Sequence, residues 1–149
     1  MSPKEAIPSD SVQAAIQQTK PFRSVSQEAV IGLLLAGEAV RWPHQDFLQG
    51  HGITLPQYNV LRILRGARTP GLPTLEIAAR MVERTPGITR MLDRMEAKGL
   101  VIRERSPEDR RQVLCRLTDA GTQLVRKLDR PMDSVNQESM GGLSEREQQ

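Results

Sequence analysis

Hydrophobic positions recur at three- and four-residue spacing along most of this chain, which is the period of amphipathic helices. In 26–47 this pattern predicts a long helix that Pro43 should kink or end. Thr54 then opens a second helix, with Pro56 in its first turn, and Gly66 stops it. The chain is therefore expected to be mainly α-helical.

Two short helices separated by a tight turn follow a predicted loop over 69–73. Thr74 is expected to cap the first helix. Thr85 at the cap and Pro86 at the first position should begin the second helix, which Gly99 ends. The inward face of the first helix should consist of Ile77, Ala78, Met81 and Val82. In the second helix the packing stripe should be Ile88, Met91, Leu92 and Met95, and the outward stripe Pro86, Arg90, Asp93, Arg94 and Ala97, flanked by Thr89. This arrangement is typical of a helix-turn-helix.

After the helix that Gly99 ends, the spacing of apolar residues shortens to two, which predicts a two-stranded hairpin over 101–118. Its polar tip, from Ser106 to Gln112, carries Arg110 and Arg111. A helix sized for the major groove followed by a cationic hairpin is the layout of a winged helix-turn-helix. The predicted partner is therefore double-stranded DNA. Thr118 is expected to cap another helix beyond the hairpin.

Positive charge is concentrated in the segment with this pattern. From Val60 to Arg116, thirteen Lys or Arg side chains oppose seven Asp or Glu, a net charge of +6 in a chain whose total is +3. Arginine outnumbers lysine seventeen to four, and its planar fork matches phosphate oxygens and guanine edges. The alternative interpretation is an ordinary solvated surface.

The remaining composition argues against several classes of protein. No apolar run approaches the ~20 residues that span a bilayer, and 1–10 lack the apolar stretch of a secretory signal, so a cytoplasmic location is expected. No nucleophile elbow, phosphate-binding glycine loop or pair of catalytic carboxylates indicates an enzyme. His44 and His51 are too few for a metal site, and neither a metal nor a cofactor is expected. Cys115 is interpreted as a small buried hydrophobe, the alternative being a redox sensor.

Several segments, taken together and in order, resemble one known family. They are 52–58, 61–64, the helix-turn-helix, the wing tip Glu108-Asp109-Arg110-Arg111 and the run Leu117-Thr118-Asp119-Ala120-Gly121. Over about residues 26–147 the chain resembles the MarR family of bacterial transcription regulators. The resemblance implies a mainly α fold with a small β-hairpin wing, and homodimers that bind pseudo-palindromic operators, usually as repressors. It also implies release of the DNA by a small anionic aromatic effector.

The same resemblance implies four segments. Residues 1–25 form an N-terminal extension that is disordered or contains one short helix, and 26–53 form an N-terminal dimerisation helix. Residues 54–117 form the winged helix-turn-helix DNA-binding domain, and 118–149 a C-terminal dimerisation helix. A capping box of Ser144 and Glu147 indicates the beginning of a final helix, which is expected to be truncated.

Individual side chains also acquire roles from the resemblance. Arg111 matches the wing arginine that enters the minor groove, where a narrow A·T tract concentrates negative potential. Asp109 would brace the guanidinium of Arg111, and Arg110 would contact phosphate; the alternative is an exposed salt bridge within the turn. The family's wing often reads Asp-x-Arg-Asp-x-Arg, whose second half is intact here, whereas Ser106 and Glu108 stand in the first. The expected DNA-contacting residues are Thr74, Thr85, Gly87, Thr89, Arg90, Arg94, Asp109, Arg110 and Arg111. The alternatives are that Thr85 serves only as a helix cap and that Arg94 pairs with nearby acidic side chains.

Two alternatives remain open at this point. Trp42, Phe47 and Tyr58 could line an effector pocket near the junction of the first two helices, or they could pack in the core. The winged helix could also serve protein contacts without binding DNA. An apolar outward face on the second helix of the helix-turn-helix would indicate that function, whereas the face predicted here is polar and cationic.

Overall fold

A computed structural model of the chain describes residues 12–68 and 71–149. The elements in order are α1 (Val12–Ala15), α2 (Val25–Gly50), α3 (Leu55–Gly66), β1 (Leu72–Pro73), α4 (Thr74–Arg80), α5 (Ile88–Ala97), β2 (Val101–Arg105), β3 (Val113–Leu117), α6 (Asp119–Ser139) and α7 (Glu145–Gln148). The predicted fold class, mainly helical with a small β wing, is confirmed. Within the described ranges no helix is both long enough and apolar enough to cross a membrane.

The chain divides into two compact units, of which the first ends at Trp42 and the second runs from Pro43 to Gln149. The division falls inside α2, which contains Pro43 and continues helically to Gly50. The prediction that this proline could end the helix is therefore wrong. The four segments expected from the sequence remain a prediction. Of the N-terminal extension, the part before Val12 lies outside the described residues.

The core of the second unit is aliphatic and is built from one face of each helix and of the sheet. The cap of α3 is the predicted one, because the Thr54 hydroxyl accepts the Gln57 N–H and the Gln57 side chain accepts the Thr54 N–H. The fully buried side chains include Leu48, Val60, Leu61, Ile77, Leu92, Met95, Val101, Val125 and Leu128. These residues fix α3, α5 and α6 against one another.

The sheet has three antiparallel strands in the order β1-β3-β2, so β2 is an edge strand. The predicted hairpin is present, with Arg103 of β2 opposite Cys115 of β3. The predicted loop over 69–73 is wrong at Leu72 and Pro73, which pair with Cys115 and Leu114. This pairing joins residues far apart in sequence, and local turn residues carry no signal for it.

The beginnings of α4 and α5 differ from the prediction. Thr74 is the first residue of α4 and makes no capping hydrogen bond, because Pro73 occupies the cap. Thr85 and Pro86 lie before α5, whose cap is Gly87 with φ +76°. The Thr85 hydroxyl instead donates to the Glu83 carbonyl at 3.2 Å. Only glycine adopts this left-handed φ without strain, which moves the helix start two residues along. Ala78, within α4, is exposed rather than inward, and Val82 is exposed because α4 ends at Arg80, before it.

A compact joint connects the end of α5 to the beginning of α6. Gly99, at φ +68°, ends α5 as predicted. The Thr118 hydroxyl accepts the Gly121 N–H at 3.0 Å and donates to the Gly99 carbonyl at 2.6 Å. Thr118 is therefore the predicted cap of α6 and also binds this helix to the turn that precedes β2. The predicted capping box of Ser144 and Glu147 opens α7.

Candidate nucleic-acid interface

Helix α5 separates an apolar face from a cationic one, as its sequence predicts. Met91, Leu92 and Met95 are no more than 4% exposed and anchor the helix in the core. Arg90 and Arg94, on the opposite side, are exposed. In the described part of the chain no acidic side chain forms an ion pair with either guanidinium. The outward face is thus polar and basic, which weighs against a surface for apolar protein contacts.

The wing tip is organised by Ser106, whose role the sequence comparison with the family pattern did not predict. This serine is 6% exposed, and its hydroxyl accepts the N–H groups of Glu108 and Asp109 at 3.2 and 3.3 Å. Its own N–H donates to the Gln112 carbonyl at 2.8 Å. A hydroxyl that accepts two backbone donors fixes a turn much as an aspartate does. A serine immediately before a polar hairpin tip was the feature of the sequence that could have predicted this turn.

Asp109 braces the tip differently from the prediction. Its carboxylate accepts the backbone N–H of Arg111 at 3.0 Å and does not bind the guanidinium. The carbonyl of Arg110 accepts from the Arg105 guanidinium at 3.2 Å. Both contacts stabilise the backbone, and the exposed side chains of Arg110 and Arg111 are left to project from the tip.

The inner side of the hairpin is bound to α5 through Arg103. One nitrogen of its guanidinium, Nη2, lies 2.6 Å from Asp93 Oδ1 and 2.7 Å from Glu96 Oε2. Its Nε donates to the same Glu96 oxygen at 3.0 Å, and its backbone N–H donates to Glu96 Oε1 at 2.9 Å. These hydrogen bonds lower the pKa of the Glu96 carboxyl and raise that of Arg103.

A second ion pair lies within the hairpin itself. The Arg116 guanidinium on β3 donates two hydrogen bonds of 2.9 Å to the Glu104 carboxylate on β2. These bonds lower the pKa of Glu104. This pair joins the two strands of the wing, whereas the Arg103 contacts join the wing to α5.

The structure brings together only part of the predicted set. Gly87, Arg90 and Arg94 line one shallow depression at the beginning of α5, and Thr85 lines the depression beside it. Thr89 is exposed on α5. Thr74 belongs to α4 and is half-buried, while 109–111 form the wing tip. Contacts of these residues with DNA remain predictions.

The three aromatic candidates differ in their surroundings, and their role in effector binding remains a prediction. Trp42 belongs to the first unit and is 53% exposed. Phe47 packs against the core, and its ring centroid lies 4.9 Å from that of His51. Tyr58 lines a pocket of about 310 Å³ whose other walls are Leu55, Pro56, Asn59, Arg62, Met81, Val82 and Glu83. Tyr58 therefore lies at a cavity large enough for a small ligand.

Arg62 gives this pocket a cationic wall that sequence reasoning missed. Its guanidinium lies 5.8 Å from the centre of the Tyr58 ring and donates to the Tyr58 hydroxyl at 3.2 Å. The hydrogen bond to Tyr58 raises the pKa of Arg62. Tyr58 and Arg62 are four residues apart on α3, and that spacing was the signal that could have identified the pair.

Cys115 is a buried side chain of the sheet. It is 1% exposed, and burial raises the pKa of its thiol to about 11. A thiol held protonated in this way is a poor nucleophile. Its interpretation as a small buried hydrophobe is in keeping with this position.

Known proteins with similar sequence and structure are transcription regulators. A family model described as MarR family matches residues 53–113. The transcriptional regulator HosA of Escherichia coli O111:H- is 34% identical over 116 residues, which cover 78% of this chain and 82% of that relative. A crystal structure of a MarR transcription factor from Planctomyces limnophilus matches with a TM-score of 0.69 and 36% identity, covering 82% of this chain and 88% of that one. A mutant MarR from E. coli complexed with operator DNA matches with a TM-score of 0.69 and 27% identity, covering 77% and 81% of the two chains.

Proposed function

This chain belongs to the MarR family of transcription regulators, and we propose that it is a dimeric repressor that binds a pseudo-palindromic operator and releases it on binding a small effector. As a transcription regulator it is not an enzyme, in agreement with its sequence. The observation that carries the proposal is the presence of two exposed arginine clusters on one winged domain. One lies on α5 and the other at the wing tip.

The two clusters suit different parts of a DNA duplex. A helix of the size of α5 fits the major groove, where Arg90 can donate two hydrogen bonds to a guanine edge. Arg111 stands on a narrow hairpin and suits the minor groove, whose potential is most negative over A·T tracts. Arg94 and Arg110 provide phosphate contacts, which set the register without reading sequence.

Dimerisation is proposed through an apolar stripe on α2. Val30, Leu33 and Leu34 are 57%, 74% and 66% exposed and lie at helical spacing on one side of the helix. Large apolar side chains clustered in this way are typical of a surface that another protein covers. A second copy of this chain would do so, and its two-fold symmetry would match a pseudo-palindromic operator.

The effector is proposed to bind the pocket beside Tyr58. Its apolar walls suit an aromatic ring, and the Arg62 guanidinium suits a carboxylate or phenolate. Glu83 also lines the pocket, so a monoanion fits better than a dianion. One wall is the turn between α4 and α5, which Asn59 holds by accepting the Val82 N–H at 3.0 Å. A ligand that displaces this turn would move the beginning of α5 and weaken operator binding.

The proposed role of the wing is tested by Arg111→Ala. We expect this substitution to weaken operator binding by about 1–2 kcal/mol, or roughly fivefold to thirtyfold, at constant salt. The control is Arg23→Ala, which removes the same charge from an exposed position outside the winged domain and the predicted dimerisation helices. Mobility-shift titrations that give both variants the same affinity would contradict the proposal.

A further inference from the structure

We propose that Arg103 is a positioning residue for DNA recognition, which fixes the angle between the wing and the recognition helix α5 by binding Asp93 and Glu96. This inference rests on the proposed function, because it concerns how the two arginine clusters reach the duplex together. The Arg103 side chain is turned towards α5, where it binds the carboxylates of Asp93 and Glu96. Its side chain is only 23% exposed.

The geometry ties two elements at several points. The Arg103 side chain contacts both carboxylates, and Asp93 and Glu96 lie three residues apart on the same side of α5. The backbone N–H of Arg103 adds a further bond to Glu96 at 2.9 Å. Because β2 is an edge strand, this carboxylate occupies a position at which another strand would otherwise pair. Side-chain and backbone bonds to one partner leave the strand little freedom to rotate relative to the helix.

The same contacts also remove an electrostatic obstacle. Asp93 is 52% exposed on α5, between Arg90 and Arg94 in sequence, where a free carboxylate would repel the phosphates. Arg103 binds this carboxylate from strand β2, with its Nη2 atom 2.6 Å from Asp93 Oδ1. The two arginines already outnumber the one carboxylate on this face of α5, and Arg103 offsets the remaining negative charge without having to touch DNA.

Glu96→Gln gives a test in which positioning and simple charge predict opposite results. Removing a negative charge from a DNA-binding domain should tighten binding if only long-range electrostatics mattered. The positioning role predicts that operator affinity falls by about threefold to tenfold, in the range for a coupled ion pair. The control is Glu104→Gln, which makes the same charge change in the ion pair within the hairpin. We expect Glu104→Gln to bind as tightly as the wild type or more tightly, because the backbone pairing of β2 with β3 holds the two wing strands together without this exposed ion pair.

A double-mutant cycle with Arg111→Ala shows whether the effect passes through the wing. In the wild type and in Glu104→Gln, removing Arg111 should cost the same factor in affinity. In the Glu96→Gln background, Arg111→Ala should reduce operator affinity by a factor that is smaller by about threefold or more, because the wing arginine is no longer held in place. Equal costs in all three backgrounds, or a Glu96→Gln variant that binds as tightly as Glu104→Gln, would overturn the inference.

A readout without DNA separates failure of this inference from failure of the proposed function. Amide exchange of the Arg103 N–H in the free protein should be faster in Glu96→Gln than in Glu104→Gln, with global stability measured alongside. If Arg111→Ala leaves operator affinity unchanged, the proposed wing role is wrong. If Arg111→Ala weakens binding but Glu96→Gln neither weakens it nor speeds this exchange, only the positioning role of Arg103 is wrong.

Discussion

Replacing Gly121 with alanine tests the joint between α5, β2 and α6. A Cβ built on Gly121 would lie 2.0 Å from the Leu100 carbonyl oxygen and 3.3 Å from Cδ2 of Leu117. Normal C···O contacts begin at about 3.3 Å, so the helix and the carbonyl must separate by more than about 1 Å. The obstacle is backbone, which cannot rotate away as a flexible side chain can. That carbonyl also accepts the Thr118 N–H at 3.2 Å, a bond that the separation would strain.

The size of the effect follows from three contributions. Overpacking in a well-packed region costs about 1–3 kcal/mol, and loss of the Thr118 hydrogen bond costs about 1 kcal/mol more. Alanine is favoured over glycine inside a helix by about 1 kcal/mol, which offsets part of this. We therefore expect Gly121→Ala to lower the free energy of unfolding by about 1–3 kcal/mol. For a chain of this length each kcal/mol corresponds to a Tm change of about 2–4 °C.

The assay is urea and thermal unfolding at fixed protein concentration, with Gly66→Ala as the control. Gly66 is the last residue of α3, and an added Cβ there meets no atom within 4 Å. Alanine at Gly66 should raise stability by about 0.4–1 kcal/mol, since it reduces the entropy of the unfolded chain. Opposite signs for the two variants are expected. A Gly121→Ala protein as stable as the wild type would refute the packing argument.

Two further predictions concern Asp129 and Arg62. The Arg65 guanidinium lies 2.7 Å from the Asp129 carboxylate and lowers the pKa of Asp129 in the folded protein. Above the unfolded pKa of about 3.9, the ionised carboxyl therefore contributes its full stabilisation of the fold. That stabilisation is lost as the pH falls through the lower folded pKa. The free energies of unfolding of the wild type and Asp129→Asn should therefore differ at pH 6 and converge in acid, whereas a constant difference in urea titrations would contradict the shift. Aromatic carboxylates should release the wild-type protein from its operator, and Arg62→Gln should remain bound at the same ligand concentration; equal release of both would exclude the proposed pocket.

Local signals in the sequence were sufficient for the elements that depend on neighbouring residues. The stripe of Met91, Leu92 and Met95 predicted the buried face of α5 because helical period and burial coincide there. Thr54 and Thr118 were predictable as caps because each meets an N–H group three residues ahead.

Features that depend on distant or competing contacts were missed. The two residues of β1 form a strand only because β3 lies beside them. The sequence around Thr85 is typical of a helix cap, but the left-handed Gly87 is the residue that caps α5. The Thr85 hydroxyl donates to the Glu83 carbonyl instead. Asp93 looked like part of an outward DNA face, yet Arg103 binds it from the following strand. In each case the deciding partner could not be identified from the local pattern.

The arginines of α5 and of the wing are proposed to bind duplex DNA in a sequence-specific manner as part of a two-fold symmetric dimer. The decisive experiment is selection of bound sequences from a random duplex pool by the full chain. We predict enrichment of a two-fold symmetric consensus with half-sites about one helical turn apart, roughly 10 base pairs. A pool that shows no enrichment even in dilute salt would contradict the claim.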